Sequence, residues 1–243
     1  MTTIEQILTQ VDLLNPNSYS KEQKLFWYNQ CESIISTKAI KSYGYIETTV
    51  RGGLAKLPDG YTKEDIACTY LDGKPGEKLD LRSGLPNLDE VKNAAKIGMV
   101  VLQRPGAVEL EEYEGSIQLQ GNSIILTRTA FCAGDSIDIL SDTETRRTSL
   151  LGVGGNILYC STDFDSEEFN GKIEKALNIP VLAQSPYDKL YVDYIIAQMD
   201  YYSKDFESYN NNSFLFNEML NELIAKNKKN EPVFQGNFMR NLW

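Results

Sequence analysis

The chain has 243 residues, 24 Lys and Arg against 34 Asp and Glu for a formal charge of −10, four Cys and no His. That length fits one large domain or two small ones, and the missing histidine excludes Ser-His-Asp and Cys-His catalysis, H-E-x-x-H zinc chemistry and imidazole proton shuttling. The acidic balance argues against a main task of wrapping nucleic acid, because phosphate binding needs clustered Lys and Arg.

The first forty residues read as two helices. Ile4, Ile7, Leu8, Val11 and Leu14 share one face of a short helix, which Asn15-Pro16-Asn17-Ser18 ends. Ser20-Lys21-Glu22-Gln23 has the spacing of a capping box, and Leu25, Tyr28, Cys31, Ile35 and Ala39 continue as an apolar stripe closed by Gly44. From Tyr45 the period changes. Short β-prone runs follow at 46–50, 66–71, 78–81, 99–103, 108–113, 116–120, 123–129, 136–140 and 157–160, with a hairpin expected around Asp72-Gly73-Lys74-Pro75-Gly76 and a short helix over 88–95. Gly152-Val153-Gly154-Gly155-Asn156 reads as a flexible loop. Ser166 is placed to cap a short helix near 166–177, and Pro186 to open a longer one bearing Leu190, Tyr191, Tyr194, Ile195, Met199 and Tyr202. A last helix carries Phe206, Tyr209, Phe216, Leu220, Leu223 and Ile224 and ends in Lys226, Lys228 and Lys229.

The expected fold class is therefore α+β. The N- and C-terminal segments form a helical bundle, residues 1–44 with 183–230, interrupted by a β-rich insertion over 45–182. Residues 231–243 form an extended C-terminal tail.

Chemistry-bearing patterns are sparse. Asp163-Phe164-Asp165-Ser166-Glu167 with Glu174 has the carboxylate rhythm of an EF-hand loop but carries Glu168 where that loop needs glycine, which favours a helix N-terminus over a metal site. The glycine clusters lack the Lys-Ser/Thr of a phosphate loop. Asp135, Asp138, Asp142 and Glu144 supply carboxylates without a visible partner, and Arg146-Arg147 reads as surface charge or a phosphate contact. No nucleophile stands beside a base, so the expectation is no enzyme, no cofactor and no metal. The cysteines, with no C-x-x-C pair, read as mostly buried thiols of a reducing compartment. Met1-Thr2-Thr3-Ile4-Glu5 has no basic leader, and apolar runs such as Met99–Leu102 are too short to span a bilayer. Both predict a soluble protein with no membrane partner.

Two groups of apolar side chains invite partners. Tyr187, Tyr191, Tyr194, Tyr201 and Tyr202 crowd one helical hairpin, either as a ring or partner interface or as a bundle core with hydroxyls at its rim. Phe234, Phe238, Met239, Leu242 and Trp243 lie on a tail with no helical partner and either dock on another molecule or pack back on their own chain.

The two ends carry a family resemblance. Asp12-Leu13-Leu14-Asn15-Pro16-Asn17-Ser18-Tyr19-Ser20-Lys21-Glu22-Gln23-Lys24 resembles the start of the head–tail connector (adaptor) proteins of tailed bacteriophages. Ser185-Pro186-Tyr187-Asp188-Lys189-Leu190-Tyr191, Ala197-Gln198-Met199-Asp200 and Tyr209-Asn210-Asn211-Asn212-Ser213 with Phe216-Asn217 resemble that family's C-terminal signature. The resemblance implies a structural virion protein at the neck, assembled in the host cytoplasm. About twelve copies would form a ring beneath the portal protein, prolonging the channel for double-stranded DNA toward tail or neck components. It also implies that the C-terminal segment binds the portal, although the tail itself matches no family motif. Most of 45–182 lies outside the resemblance. The competing reading is a β-rich carbohydrate- or host-surface-binding module on a helical stem.

Overall fold

The computed structural model describes residues 1–51, 54–55, 61–71, 74–75, 96–129, 131–141, 144–228, 234–235 and 238–239. Four helices are described: α1 (Ile4–Leu14), α2 (Lys21–Lys38), α3 (Lys189–Ser203) and α4 (Phe206–Lys228). The apolar rhythm of α1 buries Ile4, Ile7, Leu8 and Val11. A capping box opens this helix: Thr3 Oγ1 accepts the Gln6 N–H, and Gln6 Oε1 accepts the Thr3 N–H. At α2 only half of the expected box forms, with Ser20 Oγ accepting from the Gln23 N–H at 3.2 Å.

Eleven strands are described: β1 (Ser42–Arg51), β2 (Leu54–Ala55), β3 (Ile66–Leu71), β4 (Lys74–Pro75), β5 (Lys96–Gln103), β6 (Glu112–Ile125), β7 (Ser136–Leu140), β8 (Thr145–Gly154), β9 (Ile157–Lys175), β10 (Phe234–Gln235) and β11 (Phe238–Met239). The chain divides into two compact units, Met1–Gln30 with Ala107–Ser213, and Cys31–Gly106 with Phe214–Trp243.

The first unit is built on β6–β9. β9 pairs antiparallel with β6 along one edge, and on the other with β8 near its start and β7 near its end, while β7 and β8 pair with each other. Because β9 meets both members of the β7–β8 hairpin, the pairing among β7, β8 and β9 closes on itself, and β6 joins along the opposite edge of β9. The interior is apolar: Tyr113, Ile117, Leu119, Ile124, Ile137, Ile139, Leu150, Leu158, Cys160 and Ile173 are buried together. Gly155, at φ +60°, stands first in the two-residue connection between Gly154 and Ile157. The expected flexible loop is thus a tight hairpin turn at a position suited to glycine.

The second unit contains the antiparallel sheet β2-β1-β5-β3-β4, whose central strand β5 buries Ile97, Met99, Val100 and Val101. Gly44 does not close a helix. It lies within β1 opposite Val101, where the tip of the Gln103 side chain lies over it. The hairpin expected after Leu71 pairs β3 with Lys74–Pro75; residues 78–81 and 88–95 lie outside the described set.

The expected fold class is corrected in three respects. The fold is mixed α and β with two main antiparallel sheets and a largely β core, and the terminal helices do not form a bundle interrupted by a guest. Amphipathic periodicity shows that a helix has an apolar face without saying what covers it. Here α1 packs against α3, and the chain leaving β9 takes up its first N–H groups: Ile4 N–H donates to Ile179 O at 3.0 Å and Glu5 N–H to Leu177 O at 3.1 Å. The helix expected near 166–177 is strand β9 through Lys175, because β6 on one edge and β7 on the other satisfy its backbone. Finally, the segment expected to be an extended tail contains a short antiparallel pair, β10 with β11, Phe234 opposite Met239 and Gln235 opposite Phe238.

Candidate functional site

Three of the stretches that carry the family resemblance meet at one carboxylate. Asp200, near the end of α3, is buried. Its Oδ2 accepts from Asn212 Nδ2 of α4 at 2.7 Å, and its Oδ1 from Asn15 Nδ2 at the C-cap of α1 at 3.5 Å. Burial raises the Asp200 pKa, with nearby Asp205 acting in the same direction, while the two amide donors partly offset the shift. The α3–α4 turn closes beside it: Lys204 takes a left-handed φ of 65°, its N–H donates to Tyr201 O, and the Asp205 N–H donates to Asp200 O at 2.9 Å. Asp205 then caps α4, accepting from the Ser208 N–H and hydroxyl, which hold its carboxyl below the usual range.

An aromatic tier lies against this junction. Trp27 is buried between Tyr19, edge-on at 5.1 Å, and Tyr202, stacked at 5.7 Å. Tyr201 meets Tyr202, Phe206 and Tyr209 at 5.6, 6.3 and 5.5 Å. Tyr201, Tyr202 and Phe206, with Leu13 and Leu14 at the end of α1, are each at least half exposed. Asn15, which follows Leu14, donates to Asp200, which precedes Tyr201. Tyr201, Tyr202 and Phe206 form an exposed aromatic face, and Asp12, Lys204, Asp205 and Glu207 are exposed charges of the same segments.

The five tyrosines expected at an interface divide. Tyr201 and Tyr202 are exposed, whereas Tyr187 and Tyr191 are buried. Tyr191 stacks on Tyr28 at 5.1 Å, and its hydroxyl accepts from the Ala183 N–H at 3.1 Å. Tyr194 is half-buried, its hydroxyl donating to Gln30 Oε1 at 3.4 Å. In the C-terminal segment Phe234 belongs to β10, Phe238 and Met239 belong to β11, and Leu242 and Trp243 lie outside the described residues. Asp200 and Asn212 belong to resembling stretches of the sequence, but nothing in it shows that they meet. The available signal was polar Asp193 and Asp200, seven residues apart on a helix whose neighbouring positions are apolar.

The other chemical candidates resolve into structure. Arg147 is a clamp, with Nε and Nη2 on the two oxygens of Asp138 at 2.6 and 2.7 Å and a further bond to Glu5. Lys172 and Lys21 both pair with Glu174; burial opposes ionisation of that carboxyl, but the two cations outweigh it and lower its pKa. Asp163–Glu174 lies in extended β9, where successive side chains point to opposite faces, so the EF-hand loop does not form. Cys31 and Cys160 are buried, and burial pushes the Cys160 thiol up to about 11. No group of acids and cysteines that could hold a metal occurs among the described residues. No described helix is long and apolar enough to cross a membrane.

No protein-family model matches the chain, and no curated protein matches it.

Proposed function

We propose that this chain is a non-enzymatic structural virion protein of the head–tail connector type. Copies form a ring below the portal at the virion neck, extend the DNA channel toward tail or neck components, and assemble in the host cytoplasm. The observation that carries the reading is the convergence of the resembling blocks: Asn15, Asp200 and Asn212 come from three separate stretches and meet at one hydrogen-bonded junction. Such a junction explains why those polar residues accompany the apolar ones. The charge of −10 suits a channel that passes DNA without holding it, because like charge disfavours phosphate contacts. The β-rich units supply the surface outside the resemblance for neck or tail components.

Negative-stain imaging of the purified chain mixed with its cognate portal tests the proposal. A ring stacked coaxially on the portal is the expected result. A chain that neither associates with portal nor forms rings overturns it.

A further inference from the structure

The apolar face of Tyr201, Tyr202 and Phe206 at the α3–α4 turn is at least half exposed at each residue, as are Leu13 and Leu14 at the end of α1. Its charges are mostly acidic: Asp205 and Glu207 flank Phe206, and Lys204 is the one cation on the turn. Aromatic rings beside carboxylates recognise an alkyl-ammonium group twice, through cation–π contact and through ion pairing. The matching chemistry stands at the other end of α4. Its last turn carries Lys226 and Lys228, and Lys229 follows in sequence. Residues 226–243 hold four basic side chains and one acidic one, in a chain whose charge is −10.

A chain's own lysine end does not reach its own face along this helix. Phe206 and Lys228 are the terminal residues of α4, which puts them about 33 Å apart at 1.5 Å per residue. We propose that the face at the α3–α4 turn is the contact between copies, and that it receives the Lys228 end of α4, with Lys229 next in sequence, from a second copy. The contact is head-to-tail, joining unlike surfaces, so that each copy offers one face and one lysine end. Glu207 and Asp205 pair with the incoming ammonium groups, while Phe206 and Tyr201 lie against their alkyl stems. This inference rests on the ring reading and names the surfaces that build the ring.

Charge reversal tests it, read by sedimentation velocity of the full chain with and without portal. Glu207→Lys, and separately Lys228→Glu with Lys229→Glu, are each expected to raise the concentration for self-association about tenfold or more, because like charges then oppose across the contact. Combining all three substitutions restores association toward the wild-type concentration. Phe206→Ser weakens association without that rescue. Far-UV circular dichroism confirms that each variant keeps its helices. If wild type associates and neither reversal changes it, or if both reversals weaken it and the combination brings no recovery, the inference falls while the ring reading stands. If wild type does not associate alone or on portal, both fall.

Discussion

Buried carboxylates show how this chain trades stability against pH. Asp193, on α3, is buried with its Oδ2 lacking a hydrogen-bond partner, and Lys189 stands 3.7 Å from Oδ1. Burial raises its pKa and Lys189 only partly offsets this. A carboxyl whose folded-state pKa lies above its unfolded value binds its proton more readily in the folded chain. Its ionisation therefore removes stability as pH rises from the ordinary Asp range through the raised value. Asp193→Asn is expected to stabilise the protein by about 1 kcal/mol at neutral pH, the penalty of an unsatisfied buried group. Urea melts should show that gain vanish as pH falls into the ordinary Asp range. Asp65 and Glu174 act with the opposite sign. Burial raises each, but hydrogen bonds from Thr62 and Arg104 on Asp65, and from two lysines on Glu174, win and lower the pKa, so their stabilisation is lost on acidification.

Among elements, β9 explains what the sequence hid. Phe169, Ile173, Ala176 and Leu177 recur at helical spacing behind an apparent Ser166 cap, and that local pattern suggests a helix. In the fold Ile173 lies opposite Tyr113 of β6 and Ile139 of β7, and all three enter one core. Long-range pairing decides the element, and no local window contains it. Helices α1 to α4 were legible because their apolar stripes exceed any strand period; their partners were not. The Asp200 junction was half legible, since its residues lie in the stretches that carry the family resemblance but nothing local shows that they meet. Two glycines test the strand packing. A Cβ at Gly171 would come within 2.6 Å of the Leu140 carbonyl oxygen, whereas one at Gly98 meets the Tyr45 ring end, which can swing into solvent. Gly171→Ala is expected to cost about 3 kcal/mol and Gly98→Ala about 1 kcal/mol in chemical denaturation. Equal costs would contradict this packing.

At the scale of the whole molecule, assembly asks for separable tasks. The α3–α4 turn belongs to one compact unit, and the C-terminal segment belongs to the other. Deleting 233–243 leaves Lys228 and Lys229 in place. If Phe234, Phe238, Met239, Leu242 and Trp243 bind portal, this truncation should abolish portal binding in a pull-down while self-association and far-UV helix signal persist. Unchanged portal binding would remove that assignment.

The order in which the β6–β9 pairing can be completed has a consequence for synthesis. β6, β7 and β8 leave the ribosome before β9, yet each depends on β9 for at least one edge. Until Lys175 has emerged, those strands present open hydrogen-bonding edges, the state in which chains join strangers. The N-terminal helix waits longer still, since the carbonyls that receive its first N–H groups belong to Leu177 and Ile179. A nascent chain stalled between Ile157 and Lys175 is therefore the form most exposed to misassembly, and residues just past it fasten the first turn of the protein to nearly the last strand of its unit.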